Sequence, residues 1–503
     1  MTDATPPNEV PQAISGIDVM RGVGAVRAKG FWADAWDRVL RRRGAVVGLC
    51  WIGVIAFFAV FAPLVANAHP LTLVRVASDG AVHREWPLLA SLTPTDWLLL
   101  AALLLGVPWV FLGPRSLTRA QRLGMLVVAA LQAGAIVVLV GSIVPWAAGA
   151  DRAGWLKAFA RSDAGPWAIS GAVTLLATLA AAWVPTVDSL RARVAASVCA
   201  GALAGALAAG IGPAGLVNFE RYQADETSGA IREVTWTLVP WSPQYSRSDM
   251  VAIAPGTRVE DVPSLSAEFK GTTFGARKVL LGTDALGGDV LSQMLWACRL
   301  SISIGLVSTG ISVLIGVTMG SIMGYFGGKV DLVLFRIVEI FMAVPVLFLL
   351  IVAAGVLPRD TYVMMAIIGC FSWTGAARFT RAEFMKLRNQ DFVQAAKATG
   401  LPLRAILFRH MLPNGVTPVL VDASFAIAAA ISIEATLSFL GLGPDGQASW
   451  GKLLASATAA TGTFVWWLAV FPGVAIFLSV LSYNMLGEAM RDAIDPKLRK
   501  AAH

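Results

Sequence analysis

Ten runs of apolar residues, most of them roughly 18–25 long, recur along the chain, and each is long enough to cross the hydrocarbon core of a bilayer. A soluble fold of 503 residues would need charge to cover its surface. Charged residues are 14% of this chain and hydrophobic ones 56%, against roughly 25% charged in soluble domains. The mean hydropathy is +0.68. A secreted enzyme, a disordered protein and a nucleic-acid-binding domain are therefore poor fits, and the class is an all-α polytopic membrane protein. The net charge of +8 reads as the Lys/Arg excess of cytoplasmic loops rather than as a nucleic-acid surface.

The runs lie at about 44–66, 96–113, 122–146, 166–185, 194–215, 300–326, 332–356, 361–379, 414–440 and 463–487. Residues 1–43 form a basic cytoplasmic leader, 44–66 a first uncleaved helix, and 67–95 an external loop. The links after the second and fourth runs carry Arg115, Arg119 and Arg122, and Arg191 and Arg193, so the positive-inside rule places them in the cytoplasm. The block 96–215 thus crosses four times and returns the chain outside. The long polar stretch 216–298 holds an excess of acids, which suits an external segment, and Val234–Val239 is its one strand candidate. Residues 299–488 hold five more helices, interrupted by the basic loop 380–413. With the tail 489–503, this gives ten helices and both termini inside.

Within 380–413, Asp391 can cap a helix beginning at Phe392. Gln394, Ala395, Ala396 and Ala398 give that helix a small-residue face. Gly400 stops it and permits a tight turn. A second amphipathic helix runs from Leu403 to Leu412, and Pro413 opens the next membrane helix. Such a pair suits either a groove on a partner protein or the membrane surface, and physics alone leaves the two open.

Few ionisable residues fall in the apolar runs. Arg336 and Glu339 stand i, i+3 and can pair on one helix, while Asp422 and Glu434 are single acids. Residues of this kind are costly in lipid and face protein or water, so each is either a structural contact or part of a path. Gly305, Gly310, Gly316, Gly320 and Gly324 recur along one run and favour close helix packing. Cys50, Cys199, Cys298 and Cys370 are scattered, as are the four histidines, so neither a disulfide framework nor a metal site is expected. Gly441, Gly443 and Gly446 spell GxGxxG without a preceding strand. Gly446 to Lys452 spells most of a phosphate loop, but Leu453 stands where its Ser/Thr belongs. Nucleotide binding by this chain is not expected.

The loop resembles the EAA loop of ABC importer permeases. Gln394-Ala395-Ala396, Gly400 and Met411-Leu412-Pro413 fall in that pattern, with Gln in place of its Glu. LGTDALGGDVLSQMLWACRLSISIGL (281–306) resembles the peptide/nickel branch, specifically the C-type subunit of dipeptide and oligopeptide permeases, with Gly288 where that branch has Arg. GYFGGKVDLVLFRIVEI, EATLSFLGLG, SWG and NMLGEAMRDAIDPKL follow in the same order. The likeness covers about 281–499 and the first helix, and leaves 96–215 as an inserted block.

The resemblance implies an ABC importer permease core whose loop couples to an ATPase through Asp391, Gln394, Ala395, Ala396, Gly400, Leu412 and Pro413. It implies no catalytic residue and no cofactor in this chain, since ATP and Mg would be held by two ABC ATPase subunits. Further partners would be a second related permease, an external substrate-binding protein and the lipid bilayer of the inner membrane. A peptide cargo is favoured over nickel. The rival readings are an ion-coupled transporter or channel, which would want paired acids at mid-membrane, and a membrane-embedded enzyme, which would want a clustered polar site.

Overall fold

The structure, a computed structural model, describes residues 31–76, 81–114, 117–149, 154–162, 164–182, 184, 189–211, 219–269, 275–459 and 464–494. Most of the leader and the last residues of the tail lie outside these. Helix α1 (Phe31–Arg41) is amphipathic and leads into α2 (Arg43–Val65), the first span. Strands β1 (Thr72–Val76) and β2 (Val82–Glu85) follow. Four helices come next: α3 (Pro94–Leu112), α4 (Arg119–Gly149), α5 (Gly165–Ala182) and α6 (Leu190–Gly210). After strand β3 (Ile231–Thr235) stands α7 (Val290–Phe326), at 37 residues the longest described helix. Then come α8 (Gly328–Ala343), α9 (Val346–Val356), α10 (Thr361–Phe371) and α11 (Thr374–Leu387). The chain closes with α12 (Asp391–Ala398), α13 (Thr417–Phe439), α14 (Trp450–Ala459) and α15 (Trp466–Ile494).

Among the described residues eight helices are long and apolar enough to span, and ten spans result if the bent pairs α8–α9 and α10–α11 count as one each. The run 332–356, read as one helix in the sequence, is bent by 81° between α8 and α9. The cause is Pro345. A residue before proline is pushed out of the helical region, and Val344 is extended, at φ −99° and ψ 129°. The second pair bends by 42°, at Ser372-Trp373.

At the centre α7 crosses α11 with almost no side-chain spacer. A Cβ on Gly316 would stand 2.6 Å from the Ala376 Cβ. One on Gly320 would lie 2.5 Å from the Ala377 carbonyl oxygen, and one on Gly324 2.5 Å from the Phe384 Cβ. The four-residue spacing lines these glycines into a groove that only another backbone fills. Gly310, by contrast, faces open space.

The membrane part is helical, and a small sheet of order β2-β1-β3, antiparallel throughout, lies beyond its end. Leu73 pairs with Glu85 on one side and Val234 on the other, with a bulge at Val74/Arg75. The strand therefore covers Ile231–Thr235, while Val239 makes only an isolated bridge to Ala66. The described residues of 236–269 and 275–289 fold back over the ends of α2 and α7 as a cap. Its apolar centre includes Trp241, Met250, Val259, Leu265 and Val279 against Ala62 and Leu295.

Helices α4, α5 and α6 pack around Ile136, Val140, Val173 and Ala204. Gln132 Nε2 donates to Thr178 Oγ1 (3.0 Å) and to the Ser197 carbonyl (2.8 Å) across them. The block is tied to the remaining helices by a buried ion pair, Asp96 Oδ1 to Arg299 Nη1 at 2.5 Å. Arg299 also donates to the Ala59 carbonyl (2.8 Å) and lies over the Trp296 ring.

Candidate functional site

The loop between α11 and α13 is a folded unit with two unlike faces. Its inner face joins Phe384 and Leu387 of α11, Val393 and Ala396 of α12, and Ile406, Leu407 and Met411 of the return segment, all buried. Burial of this set fixes α12 against the end of the bundle. Lys397 adds a cation–π contact, its Nζ 4.9 Å from the Tyr325 ring at the foot of α7.

The helix begins one residue earlier than its capping pattern suggested. Gln390 holds the N-cap position and caps with no side-chain bond, and Asp391 lies in the first turn, where a negative charge still suits the helix dipole. Gln394 turns back, its amide donating to the Arg388 carbonyl at 2.9 Å. That bond serves the exposed C-terminal end of α11.

Ala395 is exposed, but Ala396 is buried, at 6% exposure. The small pair therefore does not present a single surface. One alanine faces out and the other seats the helix. Gly400 adopts φ +72°, a left-handed conformation that only glycine reaches without strain. The amides of Gly400 and Leu401 then bond to the Lys397 and Ala396 carbonyls. The outer face shows Phe392, Leu401, Leu403 and Phe408, each at least 38% exposed.

The return segment is not one α-helix. A short α turn (Leu403–Ala405) passes into π-helical winding from Ile406 to Met411, and a further turn runs Leu412–Gly415. The wider winding brings Ile406, Leu407 and Met411 all to the inner face. Leu412 packs beside them, while Pro413 is exposed at the start of its turn. The next membrane helix opens at Thr417 rather than at Pro413.

The intramembrane candidates fall in three separate places. Arg336 and Glu339 pair at 2.5 Å on the exposed side of α8. Asp422 is half-buried near the loop end of α13. Glu434 is wholly buried near the other end of α13, where its Oε1 accepts from Ser438 Oγ and Ser449 Oγ, both at 2.7 Å. Ser449 Oγ in turn accepts from the Gly451 amide. Glu434 thus holds the turn that carries the phosphate-loop look-alike. Lys452 there donates to the Pro444 and Gln447 carbonyls, which makes it a cap for backbone oxygens. Among the described residues no group of three His, Cys, Asp or Glu is placed to hold a metal ion.

Two features escaped sequence reasoning. The π winding has no residue signature, whereas the Asp331–Arg381 pair had one that went unread. Arg381 binds both carboxylate oxygens of Asp331, at 2.5 and 2.7 Å, and lies over the Phe335 ring. The pair clamps α8 to α11 just above the loop, and its signal was an acid just before the run 332–356 and a base just after the run 361–379.

The loop joins a helical membrane bundle on its inner face and leaves its outer face free. Residues 316–500 match the model of the family described as "Binding-protein-dependent transport system inner membrane component", and residues 30–77 match "N-terminal TM domain of oligopeptide transport permease C". The oligopeptide transport system permease protein OppC of Haemophilus influenzae is 37% identical over 219 residues, which cover 43% of this chain and 70% of that one. The di/tripeptide transport system permease protein DppC of Pseudomonas aeruginosa is 37% identical over 45% of this chain and 75% of its own. The peptidoglycan transport system permease protein YejE of Agrobacterium fabrum is 40% identical over 43% of this chain, and the match spans 57% of YejE. A chain of the inward-facing MetNI methionine transporter overlaps 40% of this one with 16% identity and a TM-score of 0.33, too low to define a shared arrangement. The chain belongs to the binding-protein-dependent permease family, as a multi-pass inner-membrane component.

Proposed function

We propose that the chain is the transmembrane permease subunit of an ATP-driven importer of di- or oligopeptides, or of peptide-like compounds. The relatives' names carry the cargo class. The loop carries the mechanism: its inner face is sealed into the bundle, so Phe392, Ala395, Leu401 and Leu403 are held outward for a partner rather than folded away. That partner is an ABC ATPase subunit, one of two, which bind ATP and Mg outside this chain. A second related permease and an external substrate-binding protein complete the unit. ATP-driven closure of the ATPases displaces the loop, and α11 and α7 carry the displacement into the bundle. Coupling requires that the two bundle states bind the ATPase states with different affinity.

Co-purification of the tagged chain from its native membrane tests this. A second permease and an ATPase that hydrolyses ATP faster when peptide-loaded binding protein is added are the expected result. A chain that transports without any ATPase sinks the proposal.

A further inference from the structure

Asp422 lies six residues into α13, about 8 Å along the helix from its loop end. Its carboxylate is half-buried, and no hydrogen bond or ion pair to it occurs among the described residues. Gly375 of α11 makes room for it: a Cβ there would stand 3.3 Å from Oδ2. Gly375 sits just past the bend between α10 and α11. Arg378, one turn further on α11, directs its Nη1 to the Met342 sulfur and not to Asp422. A lone carboxylate inside a span is costly in lipid and turns toward protein, water or a cation.

The rest of α13 fits that need. The other spans expose large apolar side chains, such as Leu306, Val307 and Leu314 on α7, or Val470, Val474 and Phe477 on α15. From Thr417 to Ser438, α13 exposes none. Above Asp422 at i+4, i+7 and i+14 stand Ala426, Ala429 and Thr436, the last two exposed. Ile433, on the same line, is drawn into the cluster around Leu437.

We propose that Asp422 is a specificity-determining residue of the translocation path, its carboxylate receiving the α-ammonium group of a peptide with a free amino terminus. The inference rests on the peptide-importer reading above. An α-ammonium is the one cation that every linear peptide brings whatever its side chains. It offers three N–H donors to a carboxylate that no protein donor engages. The small face above the acid would leave side-chain size unselected.

The test uses the assembled importer in proteoliposomes, with trialanine as the probe. Asp422→Asn is expected to lower trialanine uptake at least tenfold at an unchanged yield of complex, and Asp422→Glu to restore most of it. With the native cysteines replaced, thiol labelling of an Asp422→Cys complex should be slowed by trialanine during turnover. A sulfonate-bearing adduct there should restore uptake, and an ammonium-bearing one should not. A merely structural residue would show neither substrate protection nor dependence on the sign of the adduct. Wild-type uptake in Asp422→Asn, or labelling indifferent to trialanine, overturns the assignment alone. So does loss of the second permease from the Asp422→Asn complex, which would make the carboxylate a subunit contact. A wild-type importer that takes up no trialanine removes the peptide reading and this one with it.

Discussion

At residue scale, neighbouring alanines in the loop should fail in different ways. Ala395→Trp adds bulk to an exposed position and is expected to leave the purified chain as stable as wild type while abolishing substrate-stimulated ATP hydrolysis by the complex. Ala396→Trp forces an indole into the inner cluster, so it should lower the unfolding midpoint of the chain alone by overpacking, at about 1–3 kcal/mol. Equal stability of the two variants would contradict their opposite facing. Gly400→Val places a branched residue at φ +72°, at a cost of about 1–2 kcal/mol, and should uncouple the ATPase without affecting membrane insertion. Gln394→Glu loses one exposed hydrogen bond and should retain coupling. The motif spacing made Gly400 legible, because a turn between two short helices needs its conformation. It could not tell Ala395 from Ala396, because which alanine is buried depends on where α12 docks. A titration belongs here too. Burial pushes the Asp289 carboxyl up to about 7; the Ser292 amide bond opposes this and the nearby Asp284 charge adds to it. Between the ordinary value of 3.8 and about 7 the unfolded chain has released a proton that the folded chain keeps. Stability therefore falls as pH rises through that window and levels off above it. Asp289→Asn keeps a good helix cap and removes the titration. Its thermal midpoint should be flat across the window and a few degrees above wild type at mildly alkaline pH. A midpoint that falls just as wild type's does would count against Asp289 as the cause.

At the scale of elements, the eight to ten candidate spans were legible because bilayer thickness sets a length that composition must honour. Their internal geometry was less so. Pro345 was visible in the sequence, yet the run 332–356 is apolar throughout, and hydropathy does not register a bend. The sheet was missed in part because its paired strands β1 and β3 lie on either side of the four-helix block, and pairing at that separation leaves no local signal. The glycines of α7 were read as packing residues, but their partner was not legible. Gly316, Gly320 and Gly324 receive α11, the helix that leads into the loop. Gly320→Leu is therefore expected to part α7 from α11 and cut substrate-stimulated ATPase activity at least fivefold. Gly310→Leu, facing open space, should have little effect. Disulfide trapping between cysteines placed on the two helices would report the separation directly, and unchanged trapping in Gly320→Leu would count against it.

At the scale of the whole molecule, the sheet and the Asp96–Arg299 pair frame the block α3–α6, with β1 and β2 before it and β3 after it. The strands that flank the block pair with one another, so its excision need not open the fold around it. Deleting α3 to α6 with a short linker should leave an assembled complex that still imports peptide at a reduced rate. Complete loss of transport with intact assembly would make the block part of the transport machinery. Such a deletion also bares Arg299, so an added Arg299→Gln should recover part of any lost stability. The basic loops predict the sidedness. A cysteine at position 390 should react only with reagents that reach the cytoplasm, and outside-only labelling would reverse the topology. The length of α7 has a mechanical corollary. It is an unbroken helix of 37 residues with no internal proline, about 55 Å long, with its foot against Lys397 and its head among the residues of the cap. A rod of that length acts as a lever: tilting it by about 5° around its foot carries its head sideways by about 5 Å. Small strokes at one membrane face therefore arrive at the other as displacements as large as a side chain, with no hinge between to absorb them.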